Sequence, residues 1–191
     1  MSPSLHFLLW KLGVAAAATQ TTAEERACLA RHAAGRKALV EIGVFEGVTT
    51  CVLRNAMAAD GVVFAIDPYP VGRLGVSFHA WIAYGEVGRV TRGSVIWIRA
   101  TGREAIADPR LASMMVDFVF VDGDHSWKGI EGDWNAWSPK IASGGIMAFH
   151  DSRNSNGAGS ERFTAEVIVK DPRFTVVDTQ DRLTVIQRLP R

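Results

Sequence analysis

The sequence predicts an α/β protein built on a doubly wound sheet of seven strands, mostly parallel, with an antiparallel last strand. Three observations carry this expectation. Apolar runs of strand length alternate with helix-like stretches, the order that βαβ units produce. Two of those runs end abruptly in acidic or imidazole groups, as in Phe118-Val119-Phe120-Val121-Asp122 and Ile146-Met147-Ala148-Phe149-His150-Asp151. The final two runs lie too close in sequence for a crossover, so they form a hairpin that reverses one strand.

The elements follow in order. Residues 1–35 read as a helical N-terminal extension, in which Thr21 or Thr22 caps a helix with Glu24 and Glu25 in its first turn. That helix runs to about His32 and ends at Gly35. Ala38 to Ile42 is a buried strand, Gly43 to Gly47 a turn, and Val48 to Ala58 a helix. Val62 to Ile66 is the second strand, closed by Asp67 and Pro68, and residues 69–80 are irregular. A short helix at Trp81 to Gly88, a strand at Val95 to Ile98 and a helical turn at Arg103 to Ile106 precede the fourth strand, Val116 to Val121.

Trp127, Ile130, Trp134 and Trp137 recur at spacings of three, four and three, which marks one apolar helix face and reads as packing. Ile146 to Phe149 is the fifth strand, Ser152 to Ser160 a polar loop, and Phe163 to Val169 a helix. Phe174 to Val177 and Leu183 to Ile186 complete the sheet, so a single domain spans residues 36–191.

Composition narrows the function. The chain has 191 residues, enough to bury a core without staples. Lys plus Arg number 21 against 20 Asp plus Glu, and no basic stripe is present, so no nucleic-acid partner is expected. Cys28 and Cys51 each fall in an expected helix without metal-like spacing, which fits small buried hydrophobes in a reducing compartment. The apolar residues between Leu5 and Ala18 lack a preceding positive charge and are interrupted by Lys11, the reverse of a secretory signal. No run reaches the roughly 18 apolar residues of a membrane span. The expectation is a cytoplasmic protein without a membrane partner; a homo-oligomer is compatible with the sequence. His6, His32 and His79 have no convincing partners and read as structural or solvent residues.

The turn Glu41-Ile42-Gly43-Val44-Phe45-Glu46-Gly47-Val48-Thr49-Thr50 joins the first strand to its helix. Its Gly-x-x-x-Gly spacing is neither a dinucleotide fingerprint nor a phosphate loop, and the acidic residue before it would repel a pyrophosphate. Asp67 ends the second strand 24 residues after Gly43, where a carboxylate can accept from ribose hydroxyls. A nucleoside with a cationic or neutral tail suits this arrangement.

These residues resemble the S-adenosylmethionine site of class I methyltransferases, a Rossmann-like fold, over about residues 36–190. The resemblance implies cofactor contacts from Glu41, Gly43, Gly47, Thr49, Asp67, Thr101 and Asp122. Phe-Val-Asp122-Gly-Asp124-His125-Ser, followed by Gly-Gly-Ile-Met-Ala-Phe-His150-Asp151, resembles the metal-dependent small-molecule O-methyltransferase branch related to the macrocin and mycinose-sugar enzymes. By that resemblance Asp122, His150 and Asp151 would bind a divalent metal, Mg2+ or Mn2+, His150 following Asp122 by 28 positions.

The imidazole of His150 departs from the branch, because Mg2+ prefers oxygen donors; it opens the site to Mn2+, Fe2+ or Zn2+. A metal-coordinated hydroxyl loses its proton more readily, and a nearby base removes it. His125 is favoured over Asp124 as that base because imidazoles ordinarily titrate near neutral pH, while Asp124 can cap the next helix. Arg73 and Arg153 lie in rim loops as candidate anchors for an acidic acceptor. The reading is therefore metal-assisted O-methylation of a small hydroxylated acceptor, of natural-product sugar or phenol type. A metal-independent methyltransferase and a non-catalytic cofactor binder are the alternatives.

Overall fold

The computed structural model describes residues 1–72 and 75–190. Its sheet has seven strands in the order β3-β2-β1-β4-β5-β7-β6. They are β1 (Ala38–Ile42), β2 (Val62–Ile66), β3 (Ser94–Ile98), β4 (Val116–Val121), β5 (Ile141–Phe149), β6 (Phe174–Gln180) and β7 (Leu183–Arg188). The first five pair in parallel, and β7 runs antiparallel between β5 and β6, as expected of the closing hairpin. A bulge interrupts the β6–β7 ladder between Val176 and Asp178.

The parallel strands inside the sheet are buried on both faces, so successive side chains enter different cores. Val40, Phe64, Val119 and Met147 join Ile130, Trp134 and Trp137 of α6 (Trp127–Trp137), and the Trp stripe is packing as its spacing predicted. Leu39, Val63, Phe118 and Ala148 face the other way. There they meet Cys28, Leu29 and Ala33 of α2 (Ala23–Ala33) and Leu53 of α3 (Val48–Ala56). Helix α4 (Phe78–Gly88) covers Ala65 on that same side through Ala80 and Ala83. The remaining helices are α1 (Pro3–Lys11), the single turn α5 (Gly102–Ala105) and α7 (Gly159–Glu166).

Several boundaries differ from the sequence expectation. Residues 1–35 do not form continuous helix: α1 and α2 flank a non-helical link in which Gly13 takes a φ of +73°. Helix α4 starts three residues earlier than Trp81, and β5 starts at Ile141 because Ala142 to Gly145 continue as extended chain. Helix α7 begins at Gly159 and stops at Glu166, followed by a 3-10 turn over Ile168–Lys170. No helix among the described residues is long and apolar enough to cross a membrane.

The N-terminal elements are fastened by residues distant in sequence. The Trp10 ring of α1 lies where a Cβ on Gly85 of α4 would be, at 2.4 Å. His6 Nε2 and His79 Nδ1 each stand 2.9 Å from the buried Glu46 carboxylate, and His32 Nε2 stands 3.0 Å from Asp178. All three histidines read from the sequence as partnerless therefore face a carboxylate. Their partners lie 33 to 146 residues away, beyond any local pattern.

Glu41, next to last in β1, lies in the core with no exposed surface, its Oε2 accepting from the Thr50 hydroxyl and its Oε1 unpartnered. Burial pushes its pKa up to about 8; the Thr50 bond opposes this, and the Asp122 and Asp67 charges add to it. The group ionises near 4.5 when free, so the folded state holds a proton that the unfolded chain has lost. Stability from this proton is present at low pH and disappears as pH rises from about 4.5 to 8. Thermal melts of the ligand-free protein should show Tm falling over that window. Glu41→Gln should flatten the fall and raise stability at pH 8 by on the order of 1 kcal/mol or more. An unchanged slope would mean that Glu41 titrates normally.

Candidate active site

Each central strand is tied to its neighbour one residue beyond its end. Gly43 N–H donates to Ile66 O at 2.9 Å, Asp67 N–H to Ile98 O at 3.1 Å, Asp122 N–H to Ile42 O at 2.8 Å and His150 N–H to Val121 O at 3.0 Å. Gly43, Asp67, Asp122 and His150 therefore stand on one rim. A cleft of about 680 Å3 opens above it where the strand order reverses between β1 and β4.

The glycine turn forms one wall. Gly43 has a φ of +86°, and a Cβ there would lie 2.0 Å from the Asp122 carbonyl oxygen, so the turn can approach β4 only as glycine. Thr49 is buried and lines the cleft. Asp67 lines it too, although Oδ2 accepts from Val44 N–H at 3.1 Å and Phe45 N–H at 3.0 Å, and Oδ1 from Tyr69 N–H at 2.8 Å. A carboxylate offers about four acceptor directions, which leaves room for a ligand hydroxyl. Thr101 lines the opposite wall while capping α5 with Glu104.

Glu41 and Gly47 lie outside the cleft wall. Glu41 sits in the core near the end of β1, and Gly47 lets α3 approach α4, where a Cβ would meet Val87 at 2.9 Å.

The residues at the ends of β4 and β5 converge beside this cleft. His150 Nδ1 lies 2.8 Å from Asp122 Oδ1, and His125 Nε2 lies 3.7 Å from that oxygen and 3.6 Å from Asp151 Oδ2. Asp151 Oδ2 is also 3.9 Å from His150 Nδ1. Neither His150 Nδ1 nor Asp122 Oδ1 has a hydrogen-bond partner: they touch, but obliquely. Such a pair of buried orphaned donors, 2.8 Å apart, matches neighbouring ligands of an ion with bonds of about 2.0–2.2 Å. The donor set fits a divalent metal.

His150 points into this cluster with no exposed side-chain surface. Behind it Glu25 Oε2 lies 3.3 Å from Nε2, the place where metal-binding histidines commonly meet a carboxylate. Burial opposes a proton on His150, but the surrounding carboxylates of Asp122, Glu25 and Asp151 outweigh it and raise its pKa. Asp151 takes a φ of +48°, a strained backbone for a non-glycine residue, and Arg182 Nη1 holds its Oδ1 at 2.9 Å.

Asp124 and His125 both line the cleft. Asp124 Oδ1 accepts from Ser126 N–H at 2.9 Å, and Ser126 itself caps α6 by accepting from Gly129 N–H at 3.0 Å. Asp124 thus shapes the loop that carries His125. The first turn of α7 braces it, with Ser160 N–H donating to the His125 carbonyl at 2.9 Å. Arg153 does not reach the cleft wall, and Arg73 lies outside the described residues.

Sequence reading missed two acidic residues here. Asp133 of α6 is buried in the cleft wall, and burial, with the charge of Asp124 added, pushes it up to about 7. Its signal was present: it sits three residues after Ile130, a charge on the apolar face of its helix. Glu25 was read only as a first-turn residue of α2. It does complete that helix's capping box, yet it also reaches Arg182 N–H at 3.0 Å and backs His150.

Comparisons with known proteins agree with this geometry. A family model described as a methyltransferase domain matches residues 40–152, from β1 to just beyond the His150-Asp151 pair. A Mycobacterium tuberculosis protein described as a probable O-methyltransferase is 30% identical over 159 residues, covering 82% of this chain and 66% of that protein. An uncharacterized Sinorhizobium fredii protein is 27% identical over 150 residues, and the chain spans only 16% of its length.

Among solved structures, a Bacillus cereus O-methyltransferase in complex with SAH superposes with a TM-score of 0.68 at 17% identity, over 100% of this chain and 91% of that one. The O-methyltransferase TomG of Streptomyces achromogenes, in complex with SAM, gives 0.65 at 15% identity, over 98% and 88%. These two share the fold. With the family match spanning the glycine turn, Asp67 and both reactive strand ends, the chain belongs to the class I S-adenosylmethionine-dependent methyltransferases.

Proposed function

We propose that the protein transfers a methyl group from S-adenosylmethionine to a hydroxyl of a small acceptor, assisted by a divalent metal. The observation that supports this most is the Asp122–His125–His150–Asp151 cluster, with its unpartnered buried donors, at the edge of the cleft.

Asp122, His150 and Asp151 would hold the metal, and Glu25 would orient His150 from behind. When bound, a divalent cation lowers the pKa of a coordinated hydroxyl. His125, one third exposed, faces both the cleft and the metal ligands, and takes the proton from the acceptor hydroxyl. The acceptor oxygen then forms a bond to the methyl carbon as the carbon–sulfur bond breaks, leaving S-adenosylhomocysteine. Asp67 and Thr101 orient the nucleoside, and Gly43 allows the cofactor close to the strand ends.

A second reading is favoured by the position of His125 Nε2, 3.6 and 3.7 Å from two carboxylates of the cluster: His125 would be a further metal ligand. His125→Ala separates the two. As a base, its loss lowers kcat by about 100-fold or more while Mn2+ affinity stays as in wild type. As a ligand, its loss weakens Mn2+ binding too.

Calorimetry should show S-adenosylhomocysteine binding to the protein with or without EDTA, and absence of binding under both conditions would sink the cofactor assignment. Asp122→Ala should abolish metal-dependent turnover of a catechol or sugar panel and weaken Mn2+ binding by roughly tenfold or more. Turnover that persists in EDTA would favour a metal-free methyltransferase with His125 as its base.

A further inference from the structure

A second group of donors lies away from the cleft, between α2 and the β6–β7 hairpin. Cys28 and His32 are four residues apart on α2, so both side chains leave the helix on one face. Asp178 meets them from β6, beside the bulge that breaks the ladder after Val176. Cys28 Sγ lies 3.4 Å and His32 Nε2 3.0 Å from Asp178 Oδ2, and the three donor atoms all fall within 4.8 Å of one another.

We propose that Cys28, His32 and Asp178 form a second metal site, of the zinc class, with solvent in the fourth position. A thiolate, an imidazole and a carboxylate are the donor types Zn2+ takes. Tetrahedral bonds of about 2.0–2.3 Å require donors roughly 3.3–3.8 Å apart; the two spacings to Asp178 Oδ2, 3.4 and 3.0 Å, lie within a few tenths of an ångström of that range. The sulfur makes this site chemically unlike the Asp122 cluster, whose donors are all nitrogen and oxygen.

The surroundings favour metal over other uses. Cys28 has no exposed surface, so it cannot meet a substrate as a nucleophile. Burial and the neighbouring Asp178 push its thiol up to about 11, which leaves it inert without a cation. Metal binding replaces the thiol proton with a metal–sulfur bond, and that proton leaves to solvent. Asp178 is already ionised: the bond from His32, helped by Arg31 and Cys28, holds it down near 2 despite partial burial. Its Oδ1 accepts from Thr179 N–H, so Oδ2 is the ligand atom. Arg31 also reaches Oδ2 at 3.1 Å, but its side chain is more than half exposed and can swing into water at little cost.

The site fastens α2 to the hairpin. Since α2 also carries Glu25 behind His150, the metal holds a helix that supports the reaction centre.

Cobalt(II) titration of the full chain under reducing conditions tests this. Wild type should show a sulfur-to-cobalt charge-transfer band. Asp122→Asn and Cys51→Ser should keep it, and Cys28→Ser should lose it. His32→Ala should bind cobalt roughly tenfold more weakly or worse at the band. Zn2+ should raise the Tm of wild type by more than that of Cys28→Ser, which keeps only the Asp122 cluster. No band in wild type, or a band that survives Cys28→Ser, overturns the proposal. If Cys28→Ser does not fold, an unchanged band and affinity in His32→Ala overturns it instead.

Discussion

The site depends on how four strands end together. One backbone hydrogen bond past each strand locks Gly43, Asp67, Asp122 and His150 to their neighbours, so their positions are set by the sheet and not by flexible loops. The contact between Gly43 and the Asp122 carbonyl is the tightest part of this arrangement. A side chain at Gly43 would push β1's turn away from β4 and open the rim on which the cleft wall and the Asp122–His150 contact stand. Asp67 reinforces the same turn by accepting the Val44 and Phe45 N–H groups. One carboxylate thus shapes the turn and faces the cleft.

This geometry gathers acidic groups in and behind the cleft wall. Asp122 and Asp133 line the cleft, Asp151 stands beside it paired with Arg182, and Glu41 lies in the core behind; the buried Glu41 and Asp133 hold their protons to higher pH than they would in water. Asp122 Oδ1 and His150 Nδ1 have no directed partner. Such a region is destabilising until a cation or a positively charged ligand enters, because unpaired buried polar atoms cost free energy. The sulfonium donor and a divalent metal would both carry the compensating charge. The strained backbone at Phe45, Tyr69 and Asp151, all with positive φ, gathers around the same rim.

Helix α2 ties the N-terminal segment to this chemistry. Its capping box holds Glu25, which backs His150 and accepts the Arg182 N–H, and its next turns carry Cys28 and His32 toward β6. Arg182 in turn reaches Asp151. The His150-Asp151 pair is therefore buttressed from the hairpin and from the N-terminal helix at once.

The strands, the antiparallel β7 and the Trp face of α6 were all legible in the sequence, because apolar period and a short connection are local properties. The Gly43 turn, Asp67, Asp122 and His150 were legible as strand ends for the same reason. Helix ends were less so, since Ser77 and Gly159 start helices in segments that look irregular. The partners of His6, His32, His79 and His150 were not legible at all: Glu46, Asp178 and Glu25 come from elements far along the chain. The sequence by itself determined which elements form and which groups end them. Only the tertiary structure decided which carboxylate each imidazole meets, because those distances are set by how helices pack across the sheet.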